Sequence, residues 1–190
     1  MFDPDSVFHF DHVLTPAECD AWIQRTETIG YEAAPVSTAL GAVMMPDVRN
    51  NDRVMFDDVD AAEELWSRID DQLPERWQEV KLEDDTWRSV GLNERFRFYR
   101  YDPGQSFELH RDGYYRRNDD ERSLLTLLVY LNSPERGGST RVVTLGDVLQ
   151  IEALTGRALL FAHRLLHEGA AVEAGRKYVL RSDVMYRRVT

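Results

Sequence analysis

The run SLLTLLVYLN at residues 123–132 decides the fold class. As a strand it puts Leu125, Leu127, Val129 and Leu131 on one side and Leu124, Thr126, Leu128 and Tyr130 on the other, because successive strand side chains point to opposite faces. Both faces are largely apolar, so the run reads as covered twice, once by helices and once by an interior it lines. Outward from it, short β-like segments recur at 94–101 (ERFRFYRY), 106–110 (SFELH), 139–144 (STRVVT), 148–153 (VLQIEA), 157–163 (RALLFAH) and 177–188 (KYVLRSDVMYRR). Asp102-Pro103-Gly104, Ser133-Pro134, Gly137-Gly138, Gly146-Asp147, Thr155-Gly156 and Gly175 separate them. Many short strands at this spacing predict an antiparallel sandwich or barrel. Within 94–101, Phe96/Phe98 and Tyr99/Tyr101 fall on opposite phases, which reads as a bulge or as a face turned to a cavity.

Toward the N-terminus, residues 7–13 alternate like a half-buried strand. Thr15-Pro16-Ala17-Glu18 then predicts a helix start, with Thr15 capping, Pro16 at the first helical position and Glu18 closing a capping box. Gly30 is the expected stop. A second helix is expected over about residues 59–73, with Ala62, Leu65, Trp66, Ile69 and Leu73 on one face and Pro74 ending it. Residues 35–58 read as loop-rich. Trp22, Trp66, Trp77 and Trp87 read as packing residues. The expectation is one domain over residues 1–190, mainly β with flanking helices, in which 1–93 give α/β support to a β-rich part at 94–188.

Composition sets outer limits. With 43% hydrophobic and 30% charged residues, the 190-residue chain is globular in type and not disordered. No run of about 18 apolar residues is present, so no membrane helix is expected. Residues 1–7 lack a secretory pattern, and the single cysteine, Cys19, excludes an intramolecular disulfide, so a cytoplasmic setting is expected. Lys+Arg 23 against Asp+Glu 34 gives a net charge of −11, so nucleic acid is not an expected partner. Arg95, Arg97 and Arg100, and Arg111, Arg116, Arg117 and Arg122, read as solvated or substrate-facing charge.

The chemistry begins at His110-Arg111-Asp112. An imidazole and a carboxylate at i and i+2 of an extended segment can reach one metal ion, and His167 offers a third ligand. Two histidines and one carboxylate on one face of an octahedron leave three positions open, as in non-haem Fe(II) oxygenases. His163, four residues before His167, is the competing ligand. An HxD tripeptide alone is weak, but Lys177 follows His167 by ten residues. A buried cation there requires an anion. A dicarboxylate cosubstrate supplies one, with Tyr130 as a further donor and Arg181, on the same strand face, as the competing cation.

Residues 94–188 resemble the catalytic domain of the prolyl 4-hydroxylase-like branch of the 2-oxoglutarate/Fe(II)-dependent dioxygenases. The matching text is YDPGQSFELHRD from Tyr101 to Asp112, LLVYLN ending at Asn132, Gly137-Gly138-Ser139-Thr140, GRALLF from Gly156, His167-Glu168-Gly169, and KYVLRSDVMY from Lys177. Ser139 departs from the acidic residue common there. The resemblance implies a double-stranded β-helix, a cupin-like jelly roll. It implies that His110, Asp112 and His167 hold Fe(2+), and that Lys177 takes the distal carboxylate of 2-oxoglutarate with Tyr130 assisting. Tyr101 falls near the cosubstrate pocket. It further implies that O2 and 2-oxoglutarate are consumed, giving succinate and CO2, with ascorbate a further candidate cofactor. The implied substrate is a protein side chain, proline first, or else a free amino acid or small metabolite. Asp112 favours hydroxylation, since halogenating relatives lack that carboxylate. Arg53 in the 49–53 loop, and Tyr114 and Arg116 after Asp112, are the expected substrate contacts. Two other classes compete. A metal-binding cupin without turnover would keep Lys177 and Tyr130 away from the metal, and a zinc hydrolase would rely on Glu168 as base. The sequence leaves oligomeric state open.

Overall fold

The computed structural model describes residues 7–38, 41–73, 76–77 and 86–189; residues 1–6, Pro74 and the Trp77 side chain lie outside that set. Among the described residues the protein is mainly β, a jelly roll whose two main sheets are antiparallel, with two short two-stranded ribbons beside them and two α-helices against the larger sheet. Across the larger sheet the strands run Val7–Phe10, Ala158–Ala162, Glu121–Tyr130, Lys177–Val189, Arg95–Tyr101, Asp52–Asp57 and Glu32–Ala33. The smaller sheet runs Val148–Ile151, Thr140–Val143, His167–Gly169 and Phe107–His110.

The register explains why the central strands are apolar on both sides. Val129, Leu180, Phe98 and Val54 lie abreast, and this row faces the helices. Trp22 of helix α1 (Pro16–Ile29) stacks there, 5.2 Å from Phe98 and 6.0 Å from Phe96 between ring centroids. Phe96 and Phe98 are fully buried, each contributing about 1.5–3 kcal/mol of burial free energy. One residue along, Tyr130, Val179, Tyr99 and Arg53 lie abreast and face the other sheet. The segment around Tyr99 is therefore an unbulged strand with one face under helices and one in a cavity.

Helix α1 starts as its sequence predicts. Thr15 Oγ1 accepts the Glu18 N–H, and Glu18 Oε2 accepts the Thr15 N–H at 2.7 Å. Glu18 also pairs with Arg68 at 2.6 Å, and that guanidinium holds the Glu18 carboxyl down at about 2. Helix α2 (Val59–Ser67) stops earlier than expected. After Ser67 the chain tightens into i→i−3 turns, with Arg68 N–H on Leu65 O and Ile69 N–H on Trp66 O, and these still bury Ile69 and Leu73. The loop-rich reading of 35–58 is corrected: Asp52–Asp57 is a full strand of the larger sheet, and Thr86–Leu92 is another strand that sequence patterning passed over. No described helix is long and apolar enough to cross a membrane.

Gly156 locks the N-terminal segment to the sheet. Its carbonyl accepts the Val13 and Leu14 N–H groups, its φ is +78°, and a Cβ there would lie 2.1 Å from Leu14 O. Gly156→Ala is expected to destabilise the fold by roughly 3 kcal/mol, read from the urea unfolding midpoint.

Candidate active site

The smaller sheet brings the histidines together. His110 and His167 are register partners, with ring centroids 4.2 Å apart. Asp112 follows the Phe107–His110 strand, held by its N–H on His163 O at 3.0 Å. The three side chains offer ligand atoms within 4.8 Å of one another. Asp112 Oδ1 lies 3.9 Å from His110 Nε2, and Oδ2 lies 3.5 Å from His167 Nε2.

Backbone carbonyls fix both imidazoles. His110 Nδ1 lies 2.7 Å from Glu108 O, and His167 Nδ1 lies 3.0 Å from Leu165 O. A carbonyl only accepts, so each Nδ1 carries the proton and each Nε2 keeps its lone pair for a metal. Burial, reinforced by His167, pushes His110 down to about 4, and burial lowers His167 as well. Burial acts to raise Asp112. Arg181, then His167, His163 and the Thr126 hydroxyl outweigh it and hold the carboxyl below the ordinary range. At neutral pH the set is two neutral imidazoles and one carboxylate.

His163 does not join this set. Its Nδ1 lies 2.8 Å from Thr126 Oγ1 and its Nε2 lies 2.8 Å from Ser123 Oγ. Thr126 Oγ1 donates to Asp112 Oδ2 at 2.6 Å, so it accepts from His163 Nδ1–H, and His163 Nε2 accepts from Ser123. Ser123 Oγ in turn accepts the Tyr115 N–H at 2.8 Å. This chain ends on the ligand carboxylate and fixes its rotation. Sequence reasoning missed Thr126 in this role; its one signal was a hydroxyl on the interior face of an apolar strand. Thr126→Val is expected to weaken Mn(II) binding by roughly 10- to 100-fold, measured by isothermal titration, and to cost about 1–3 kcal/mol of stability by leaving the buried His163 Nδ1–H unpaired.

A cavity of about 440 Å³ lies between the sheets and contains the triad. Lys177 is 2% exposed and meets no carboxylate at ion-pair distance among the described residues. Its Nζ sits 5.2 Å from the Tyr101 ring centroid and 5.4 Å from that of Tyr130. Burial pushes the amine down to about 7. Gly138, at φ +73°, makes room for it, since a Cβ there would press within 3.2 Å of Lys177 Cδ. Tyr101 lines the cavity. Tyr130 is fully buried beside Lys177, its hydroxyl donating to Thr140 Oγ1 at 2.7 Å, and Thr140 itself reaches the cavity. Arg181 binds Asp112 Oδ2 at 3.2 Å and Asp183 Oδ1 at 3.1 Å, which leaves Lys177 the cation of the two without a partner.

Of the expected substrate contacts, Arg53 and Tyr114 line the cavity. Arg116 points elsewhere, to Asp119 at 2.5 Å and Asn118 O at 3.3 Å. Arg95 pairs with Asp57, and Arg100 with Asp52 and Glu27. Arg49, at the other end of the 49–53 loop that the sequence offers as a substrate contact, is buried in the cavity wall.

Residues 96–182 match the family model described as the 2OG-Fe(II) oxygenase superfamily. Over that stretch, a little under half of its length, the chain is similar to that superfamily, and the stretch contains His110, Asp112, His167 and Lys177. Its fold is similar to that of the viral collagen prolyl hydroxylase vCPH from Paramecium Bursaria Chlorella virus-1, at 22% identity and TM-score 0.62 over 95% of this chain and 96% of that one. A Pseudomonas putida prolyl-4-hydroxylase is similar at 19% identity and TM-score 0.63, over 98% and 94% of the two chains. A Trichoplax adhaerens prolyl hydroxylase, solved with a hypoxia inducible factor oxygen degradation domain peptide fragment, is similar at 18% identity and TM-score 0.65, over 95% and 83%. No curated protein matches the sequence. The residues fit the cofactors of the family: a His-Asp-His donor set without thiolate suits Fe(II), and the partnerless Lys177 suits the far carboxylate of 2-oxoglutarate.

Proposed function

We propose that this chain is a 2-oxoglutarate/Fe(II)-dependent oxygenase that hydroxylates a substrate C–H bond, with a protein side chain of prolyl type as the first candidate, and that residues 94–188 form the catalytic part supported by residues 1–93. The observation that carries the reading is the cavity itself, which holds the His110, Asp112 and His167 ligand atoms and a lysine without a carboxylate partner. In this role His110, Asp112 and His167 hold iron, and Lys177 anchors the distal carboxylate of 2-oxoglutarate. Iron and 2-oxoglutarate together supply the oxidising power, with succinate and CO2 as products. The chain supplies position and dryness. Carbonyl-bound imidazoles and a hydroxyl-bound carboxylate hold the ligands without rearrangement, and Tyr101, Phe107 and Leu128 wall the cavity against water. Arg53 and Tyr114 face the space left for substrate. The prolyl assignment draws on the similar folds, one of them solved with a peptide.

The test is to load the protein anaerobically with Fe(II) and 2-oxoglutarate, admit O2, and screen prolyl peptides and free amino acids by mass. Gain of one oxygen atom by a peptide, matched by succinate, is the expected result. Gain by a free amino acid alone moves the chemistry to that substrate, and an absence of succinate overturns the reading.

A further inference from the structure

The cavity is far more cationic than the chain. Its wall carries Arg49, Arg53, Arg97, Arg111, Lys177 and Arg181 against one carboxylate, Asp112, in a protein of net charge −11. Four of the six have an assignment. Arg181 is held by Asp112 and Asp183, Arg97 lies 3.3 Å from Asp183, Arg111 donates to Arg164 O at 2.8 Å, and Lys177 is reserved for the cosubstrate.

Arg49 and Arg53 remain. Arg49 is 6% exposed, its Cζ 4.5 Å from the ring centroids of both Tyr99 and Phe107. Phe107 in turn stacks on His110 at 3.6 Å, so Arg49 sits two layers from a metal ligand. Its Nε donates to the neutral Asn51 Oδ1 at 2.7 Å, while Nη2 is buried with no hydrogen-bond partner. Arg53 is half-buried, and its side chain makes no hydrogen bond or ion pair among the described residues. Tyr99, the register partner of Arg53, reports the resulting field. Burial acts to raise its phenol, yet Arg181, Arg49 and Arg97 outweigh burial and lower it. Holding guanidinium groups in a cavity without counter-charge is costly unless a ligand brings the charge. That ligand is not the cosubstrate, because the strand bearing Arg53 lies two strand spacings, ~10 Å, from the strand bearing Lys177.

We infer that the Arg49–Arg53 wall is a second anion site, and that the primary substrate presents a carboxylate to it. A planar guanidinium matches a carboxylate in geometry as well as charge. Two sources supply such a group: the α-carboxylate of a free amino acid, and the C-terminal carboxylate of a peptide. The inference rests on the oxygenase reading and narrows its substrate.

The experiment uses the full chain loaded with Mn(II) and 2-oxoglutarate, without turnover. The probes are the free amino acids and glycyl-L-proline, each paired with its C-terminal amide, and the readout is the thermal midpoint with a dose response. At least one acid is expected to stabilise the protein where its amide does not. Arg53→Gln should weaken that acid by roughly 10- to 100-fold, Arg53→Lys should restore part of it, and both should keep the shift caused by 2-oxoglutarate. Response to free amino acids identifies the first source, and response to glycyl-L-proline alone identifies the second. Amides equal to acids in every pair, or an Arg53→Gln protein that still discriminates, would overturn the inference. Loss of the 2-oxoglutarate shift in the unmutated chain, with acid discrimination intact, would sink the oxygenase reading alone.

Discussion

Asp112→Ala is expected to abolish succinate-coupled turnover and to lower metal affinity by more than ~100-fold, beyond what loss of an outer-sphere partner costs. The side chain is the only carboxylate in the ligand set and the end point of the Ser123–His163–Thr126 chain. It is also one of two counter-charges to the buried Arg181. Removing one partner of a buried pair costs about 3–5 kcal/mol, and Asp183, still 3.1 Å from the guanidinium, keeps the expected loss at the lower end. The variant should therefore lose stability as well as metal. Asp112→Asn separates the two losses, since it keeps the acceptor for Thr126 while discarding the charge. Mn(II) titration together with urea unfolding reads both. Metal affinity unchanged in Asp112→Ala would remove Asp112 from the ligand set.

The strand pattern of the C-terminal half was legible because each run is short, bounded by turn residues, and apolar for a local reason. Residues 123–132 announced two covered faces, and the register delivers Val129 to the helices and Tyr130 to the interior. Asp52–Asp57 escaped because its faces are covered by different materials. Val54 and Phe56 pack under helix α1, whereas Arg53 faces the cavity and Asp52 pairs with Arg100, so no simple alternation shows. The triad was legible because its spacing is carried by the motif. The Glu108 and Leu165 carbonyls that orient the histidines were not, since a backbone acceptor leaves no mark in the side-chain sequence. Arg49 was obscure for a related reason: its position depends on Tyr99 and Phe107, some 50 residues away, and only the folded chain assembles that sandwich. The opposite phases of Phe96/Phe98 and Tyr99/Tyr101 at 94–101 come from the cavity, which Tyr99 and Tyr101 line.

Lys177 should make cosubstrate binding pH-dependent in a range where 2-oxoglutarate itself does not titrate. Burial holds the free amine at about 7 against its ordinary 10.5, so the cation is present below neutrality and is lost as pH rises. A bound carboxylate raises that value again by favouring the charged form. Binding strength is therefore full below about pH 7 and falls by up to ~10-fold per pH unit above it, until the raised value in the complex is reached. Arg181 offers no substitute, since Asp112 and Asp183 already engage it. Lys177→Ala is accordingly expected to raise the 2-oxoglutarate requirement by roughly 10- to 100-fold at neutral pH and to flatten the dependence. Lys177→Arg should bind less well, because Gly138, Tyr101 and Tyr130 crowd the side chain, yet its permanent charge should also flatten the curve. Equilibrium binding of 2-oxoglutarate to the Mn(II)-loaded protein, followed from about pH 6 to about pH 9, checks all three proteins at once. A flat curve for the unmutated chain would mean that the amine stays charged throughout, and equal affinity in Lys177→Ala would take the distal carboxylate away from this residue.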